Sequence, residues 1–330
     1  MGHPSDRNTI SFGRNTTHHA HEVAPPCAEG SNIMSTTTTT QKKVIGTYGP
    51  GSNHWVGDGF PVRNLFPSNG LQLEVSPFLM LDYAGPQYFT PSAKRRGVGE
   101  HPHRGFETVT IAYQGSVGHR DSAGNSGVIY PGDVQWMTAA SGVLHEELHE
   151  AEFSKAGGTF EMIQLWVNLP AKDKMSKPGY QAITKEQIPV VNLPGGGHIR
   201  VIAGEANVAG STTKGAAGTF TPLNVWDVIL KAGEKVELTV PEGHNTAVVL
   251  RKGDATVNGT AKLTGEARIA ALSQEGNTVT IEAKEDSQLV LLSGEPINEP
   301  VASYGPFVMN TREEIMQAVA DLKAGKFGQL

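Results

Sequence analysis

Apolar residues along this chain gather in short runs, each of strand length and each closed by a turn. The runs at 62–66, 75–81, 108–113, 127–130 and 160–167 are bounded by Pro67-Ser68-Asn69-Gly70, Gly124-Asn125, Pro131-Gly132-Asp133 and Leu169-Pro170. These residues supply the backbone angles of tight turns, so the pattern predicts an antiparallel barrel or sandwich. A stretch marked by Lys177-Pro178-Gly179 and Leu193-Pro194-Gly195-Gly196-Gly197 reads as containing a linker, and a second strand-rich block follows over 199–292. The chain ends in a predicted helix. Thr311 and Glu314 form a capping box, Ile315, Ala318, Val319 and Leu322 repeat at i, i+3, i+4 and i+7, and Gly325 supplies a stop. A single apolar stripe gives this helix a packing role.

The second block echoes the first. Setting Gly253 of Val248-Val249-Leu250-Arg251-Lys252-Gly253 on Gly115 of Thr110-Ile111-Ala112-Tyr113-Gln114-Gly115 brings Thr239 onto His101 and Pro241 onto His103. A looser match sets Ile281 and Ala283 against His145 and Glu147. By this register the second block lacks the polar residues that mark the first, and its His244 stands alone as a structural histidine.

Composition narrows the class. Glycine (39) and proline (20) are plentiful and charged residues make up 18%, which favours short strands and tight turns over long exposed helices. A length of 330 residues passes the roughly 250–300 at which single cores stop growing, so two domains are expected. The net charge of -6 offers no general attraction to nucleic acid or anionic membrane. Lys94-Arg95-Arg96 reads as a solvated loop, and no apolar stretch approaches the roughly 20 residues of a spanning helix. Cys27 is the only cysteine, so no intrachain disulfide can form and a reducing compartment is compatible. Residues 1–43, with His18-His19-Ala20-His21, Pro25-Pro26 and the threonines of 36–40, show neither periodicity nor the apolar core of a signal peptide. They read as a disordered extension in which Met34 could be an alternative start. The expected compartment is the cytoplasm, or also the nucleus in a eukaryote.

Candidate chemistry centres on His101-Pro102-His103 and His145-Glu146-Glu147. Side chains two apart on a strand share a face, so each triplet can aim two ligands at one ion. Two short strands facing each other across a barrel would present three imidazoles and a carboxylate, a set suited to Fe(II), Mn(II), Ni(II) or Zn(II). His145, Glu147 and His149 share one face, leaving His149 as a reserve ligand, while Glu146 faces away. Glu107, four residues after His103, shares its side if the strand continues. Arg104, Phe106, Gln135, Trp136 and Met137 could border the cavity or belong to the core. Gly195-Gly196-Gly197 lacks the lysine and helix of a phosphate loop and reads as a turn.

These residues resemble the pirin family of the cupin superfamily. The resemblance runs through Pro77-Phe78-Leu79-Met80-Leu81-Asp82, His101-Pro102-His103-Arg104-Gly105-Phe106-Glu107-Thr108, Pro131-Gly132-Asp133-Val134-Gln135-Trp136-Met137-Thr138-Ala139 and Gly305-Pro306-Phe307-Val308-Met309-Asn310-Thr311. It implies an all-β bicupin: two antiparallel β-barrels (jelly rolls) face to face with a short C-terminal α-helix, divided here into 44–182, holding the metal, and 183–330, without ligands. It implies one Fe(2+) per chain on His101, His103, His145 and Glu147, with Mn, Ni, Zn, Cu or Co as substitutes, and Glu107 as a pocket residue. The chain departs from the family pattern at Asn64, where an arginine is usual, and at Ala140, where a glycine is usual. The implied activity is that of a quercetin 2,3-dioxygenase, which opens a flavonol with O2 and releases carbon monoxide, Glu147 or Glu107 accepting the hydroxyl proton. The alternative is an iron- or redox-dependent regulator that binds a transcription factor or metabolic enzyme as its protein partner. Sugar isomerisation is the weaker third reading. A monomer is expected, binding neither nucleic acid nor membrane directly.

Overall fold

Alternating burial between turn residues makes strands almost throughout. The computed structural model describes residues 39–330 apart from 52, 69, 72, 73 and 209; His18, His19, His21, Cys27 and Met34 lie outside the described residues. The first half of the chain forms β1 (Val44–Tyr48), β2 (Asn53–Val56), β3 (Phe60–Phe66), β4 (Phe78–Phe89), β5 (Gly97–His103), β6 (Phe106–Gln114), β7 (Val117–Asp121), β8 (Ser126–Ile129), β9 (Val134–Thr138), β10 (Val143–His149), α1 (Ala151–Ala156), β11 (Gly158–Asn168) and β12 (Gly179–Ile183). The second half forms β13 (Val190–Asn192), β14 (His198–Ala203), β15 (Glu205–Val208), β16 (Ser211–Lys214), β17 (Leu223–Leu230), β18 (Lys235–Thr239), β19 (Asn245–Val257), β20 (Ala261–Leu272), β21 (Thr278–Ala283), β22 (Ser287–Gly294), β23 (Ala302–Tyr304), β24 (Phe307–Met309) and α2 (Arg312–Lys323).

The architecture is all-β, two antiparallel cupin barrels. In the first, the sheet β12-β9-β6-β11-β4-β3-β2 packs against the sheet β5-β10-β7-β8, with Phe60, Val62, Ala112, Val117, Phe160 and Met162 buried between them. In the second, β13-β14-β17-β22-β19-β21-β18-β15-β16 form one sheet, joined by β20 on β19. Strand parity builds the contact between barrels. Val109 and Ile111 of β6 join Leu165, Val225, Val249 and Val290 in a shared core, while Ala112 turns into the first barrel. A buried polar group interrupts that core. Arg251 ion-pairs with Glu161 and lies over the Tyr113 ring, and Arg200 bonds Asp227 at 3.0 Å. Paired in this way, charges from both barrels tolerate burial.

The two ends of the chain cross over. β1 pairs with the free edge of β20 in the second barrel, whereas Arg104 of the first barrel bridges to Phe307 and holds Asp321 of α2 at 2.9 Å. The capping box of α2 is present, and Ile315 and Ala318 are buried. One expectation is corrected: residues 41–43, read as part of a disordered extension, are held against the second barrel. Lys42 is buried with its Nζ donating to the carbonyls of His244, Ser273 and Gln274, each at 3.0 Å, which satisfies all three of its protons. The glycine-rich turn binds the chain's own carboxylate, since the amides of Gly195 and Gly197 donate to Glu234 at 3.1 and 3.0 Å. Among the described residues no helix is long and apolar enough to cross a membrane.

Candidate metal centre

The sequence suggests two strands facing each other across a barrel; instead β5 and β10 are hydrogen-bonded neighbours, with His145 directly opposite His101. Adjacent strands bring side chains on one face about 5 Å apart, which explains how both triplets serve one spot. β5 carries an irregularity there, since His145 pairs with His101 but Glu147 with Val98. The rings of His101 and His145 lie 4.1 Å apart, and His103 is 4.9 Å from each. One nitrogen from each of the three lies within 4.8 Å of the others.

Protonation favours ligation. Burial holds His145 well below the ordinary imidazole range and His103 down at about 3, the neighbouring imidazoles adding to the effect and the Pro306 carbonyl opposing it at His103. Both rings are therefore neutral and keep a lone pair. His145 is completely buried, yet neither of its ring nitrogens has a hydrogen-bond partner, a rare condition that a metal ion would relieve. His101 has its Nδ1 2.8 Å from the Gly99 carbonyl. A carbonyl only accepts, so the proton sits on Nδ1 and Nε2 is left to coordinate. The donor set fits a divalent transition metal.

Glu147 lines the cavity beside His101 and His103. Its Oε1 lies 3.1 Å from the Thr110 hydroxyl and 3.5 Å from the Gln135 amide. The Thr110 oxygen is also 2.7 Å from Gln164, and its one proton serves a single acceptor at a time. His149 shares the strand face but does not reach the cluster. It sits among Phe89, Phe153 and Phe160, with Nε2 2.9 Å from the Gly59 carbonyl. Glu146 points outward to Arg120, at 2.6 Å.

Glu107 is not a cavity residue. The chain breaks between β5 and β6 at Gly105, whose φ is +90°, so the parity counted from His103 does not carry across. On β6, Thr110 reaches Glu147, whereas Glu107 lies on the other face, paired with Val167 of the shared core. Its Oε1 accepts from Thr138 at 2.8 Å, and burial raises its carboxyl to about 7. Of the flanking candidates, Phe106 packs on His103 at 5.1 Å and Gln135 reaches Glu147. Trp136 belongs to the shared core, Met137 to a small cluster with Val143, and Arg104 to the tie with α2.

Sequence reasoning missed His119 and Asp82. His119 is buried with its ring 5.5 Å from His145 and its Nε2 3.3 Å from Asp121; the alternation of Val117, His119 and Asp121 on a strand is the signal that could have found it. Asp82 lines the same cavity as the histidines, together with Met80, Gln164 and Trp166. That cavity measures about 380 Å³, within the roughly 300–1,000 Å³ of small-molecule sites.

A bicupin with three converging imidazoles in its first barrel defines the class: a cupin built to hold a metal. Among the described residues there is one such cluster, and β21 of the second barrel buries Val279, Ile281 and Ala283 in an apolar core. Residues 59–167 match the family model for Pirin and residues 225–328 that for the Pirin C-terminal cupin domain. A Pseudomonas aeruginosa protein named "Putative quercetin 2,3-dioxygenase" is 55% identical over 287 residues, covering 87% of this chain and 98% of its own. Human Pirin is 38% identical over 259 residues, 77% of this chain and 83% of its own. The crystal structure of quercetin 2,3-dioxygenase from Acinetobacter baumannii superposes with a TM-score of 0.84 at 55% identity, covering 88% of this chain and 99% of that one. The chain belongs to the pirin family.

Proposed function

We propose that this protein is a mononuclear Fe(II) dioxygenase that opens a flavonol such as quercetin with release of carbon monoxide. The observation that carries the reading is His145, fully buried with both ring nitrogens unpartnered beside the imidazoles of His101 and His103, which line a cavity of small-molecule size. His101, His103, His145 and Glu147 are the proposed ligands. Bound there, iron supplies a Lewis acid and a redox centre next to the substrate's hydroxyl group. The chain does the rest. Trp166, Val56, Phe60 and Val62 line an apolar slot for a flat ring system, and Thr110 and Gln135 orient the Glu147 carboxylate. The names of the Pseudomonas and Acinetobacter relatives support the substrate class.

Metal analysis of protein purified without chelator, followed by aerobic incubation of the Fe(II)-loaded form with quercetin, tests the proposal. The expected result is about one metal per chain, loss of the flavonol absorbance and evolution of carbon monoxide. No turnover with Fe, Mn, Ni, Cu or Co in the site would sink it.

A further inference from the structure

With Glu107 turned away and Glu147 proposed as a ligand, the flavonol reading lacks a proton acceptor. The cavity contains one more carboxyl. Asp82 lies on β4 at 5% exposure, opposite Gln164 of β11 in the strand register, and both side chains line the cavity with His101 and His103. Its Oδ1 accepts from the Asn64 amide at 2.7 Å, and no ion pair to it is present among the described residues. An amide donates one hydrogen bond but carries no charge, so Asn64 holds this buried carboxylate without forming a salt bridge to it.

The groups facing Asp82 can be named from each neighbouring element. They are Asn64 from β3, the neutral Gln164 from β11, and His54 from β2, which also lines the cavity. Arg63 of β3 is committed elsewhere, to Glu266 of the second barrel at 3.0 Å. The remaining titratable groups of the cavity are His101, His103 and Glu147. Burial raises the Asp82 carboxyl above its ordinary range, while Asn64 and His54 pull it back in part.

We propose that Asp82 is the proton acceptor of this cavity, taking the hydroxyl proton of a hydroxylated aromatic substrate laid between it and the histidine cluster. The substrate's O–H bond breaks, its electron pair stays on the oxygen, and the proton joins an Asp82 oxygen and passes to water on product release. The inference rests on the flavonol reading for its substrate. A raised carboxyl brings acceptor and phenolic donor closer in basicity, as general base catalysis favours.

Quercetin reports its own ionisation, because loss of a hydroxyl proton moves its long-wavelength band to the red. The full chain loaded with Zn(II) under argon, which cannot turn over, is titrated with quercetin at pH 7 for the wild type, Asp82→Asn and Asn64→Arg. The wild type should bind the ionised flavonol, and Asp82→Asn should keep one zinc per chain and bind the unionised one. In the Fe(II) form, Asp82→Asn should lose about 10²–10⁴-fold in turnover. Asn64→Arg should move the acid limb of the kcat/KM profile down by about 1–3 pH units, the effect of an arginine beside an aspartate. An unchanged red shift in Asp82→Asn, or an unmoved acid limb in Asn64→Arg, overturns the proposal. If Asp82-dependent ionisation is seen without any turnover of the wild type, the dioxygenase reading fails and the proton acceptor stands. If the wild type does not bind quercetin, both fall.

Discussion

Replacing Glu107 by glutamine separates a buried structural carboxyl from a member of the metal site. The carboxyl sits at about 7 in the folded protein against an ordinary 4.5, because it is 1% exposed and faces the core between the barrels. Between those two values the folded chain keeps a proton that the unfolded chain has released. Stability therefore falls as pH rises from 4.5 to 7, by about 1.4 kcal/mol per unit, and is level above 7. Over the interval this comes to about 3 kcal/mol. Glutamine cannot titrate and still offers an oxygen to Thr138, so Glu107→Gln lacks this slope. Denaturant unfolding of both proteins, stripped of metal and measured from pH 4.5 to 8, should show the variant gaining about 3 kcal/mol on the wild type by pH 7. Its metal content on reloading should be unchanged. A stability difference that does not move with pH, or a variant that no longer binds metal, would refute the placement of Glu107 on the inter-barrel face.

Other substitutions test the remaining geometry. His145→Ala should reduce bound metal to background in metal analysis, whereas His149→Phe, altering a ring already packed among phenylalanines, should retain one metal per chain. Arg251→Met leaves the buried Glu161 without its cation and should lower stability by about 3–5 kcal/mol, read from the denaturant midpoint. Ala140 has a φ of +40°, a left-handed conformation that costs a residue with a Cβ. Ala140→Gly should therefore stabilise the fold by about 1 kcal/mol, seen as a rise in Tm.

Much of this was legible in the residues. Turn-bounded apolar runs located β3, β6, β8 and β11, because a strand's alternation and its turns are local properties. The capping box located α2 for the same reason. His101, His103, His145 and Glu147 pointed to a metal site because few other demands place two side chains of ligand type at i, i+2 twice in one chain. The limit came wherever parity had to cross a break. Counting from His103 to Glu107 presumes one strand, and Gly105 makes it two in different sheets. The same counting put His149 on the right face without showing that the phenylalanines enclose it.

By itself, the sequence determined what depends on neighbours along the chain: strand and helix positions, and the side chains of ligand type on one strand face. Tertiary structure alone decided which strands lie side by side, and hence that His101 stands opposite His145. It also decided that β1 completes the second barrel while α2 packs on the first, and that Asp82 and Asn64, some 20 to 40 residues before the first histidine pair, share its cavity. The physical reason is that pairing and burial are long-range: a strand edge accepts whichever segment satisfies its hydrogen bonds and hides its apolar face, and no local pattern names that partner.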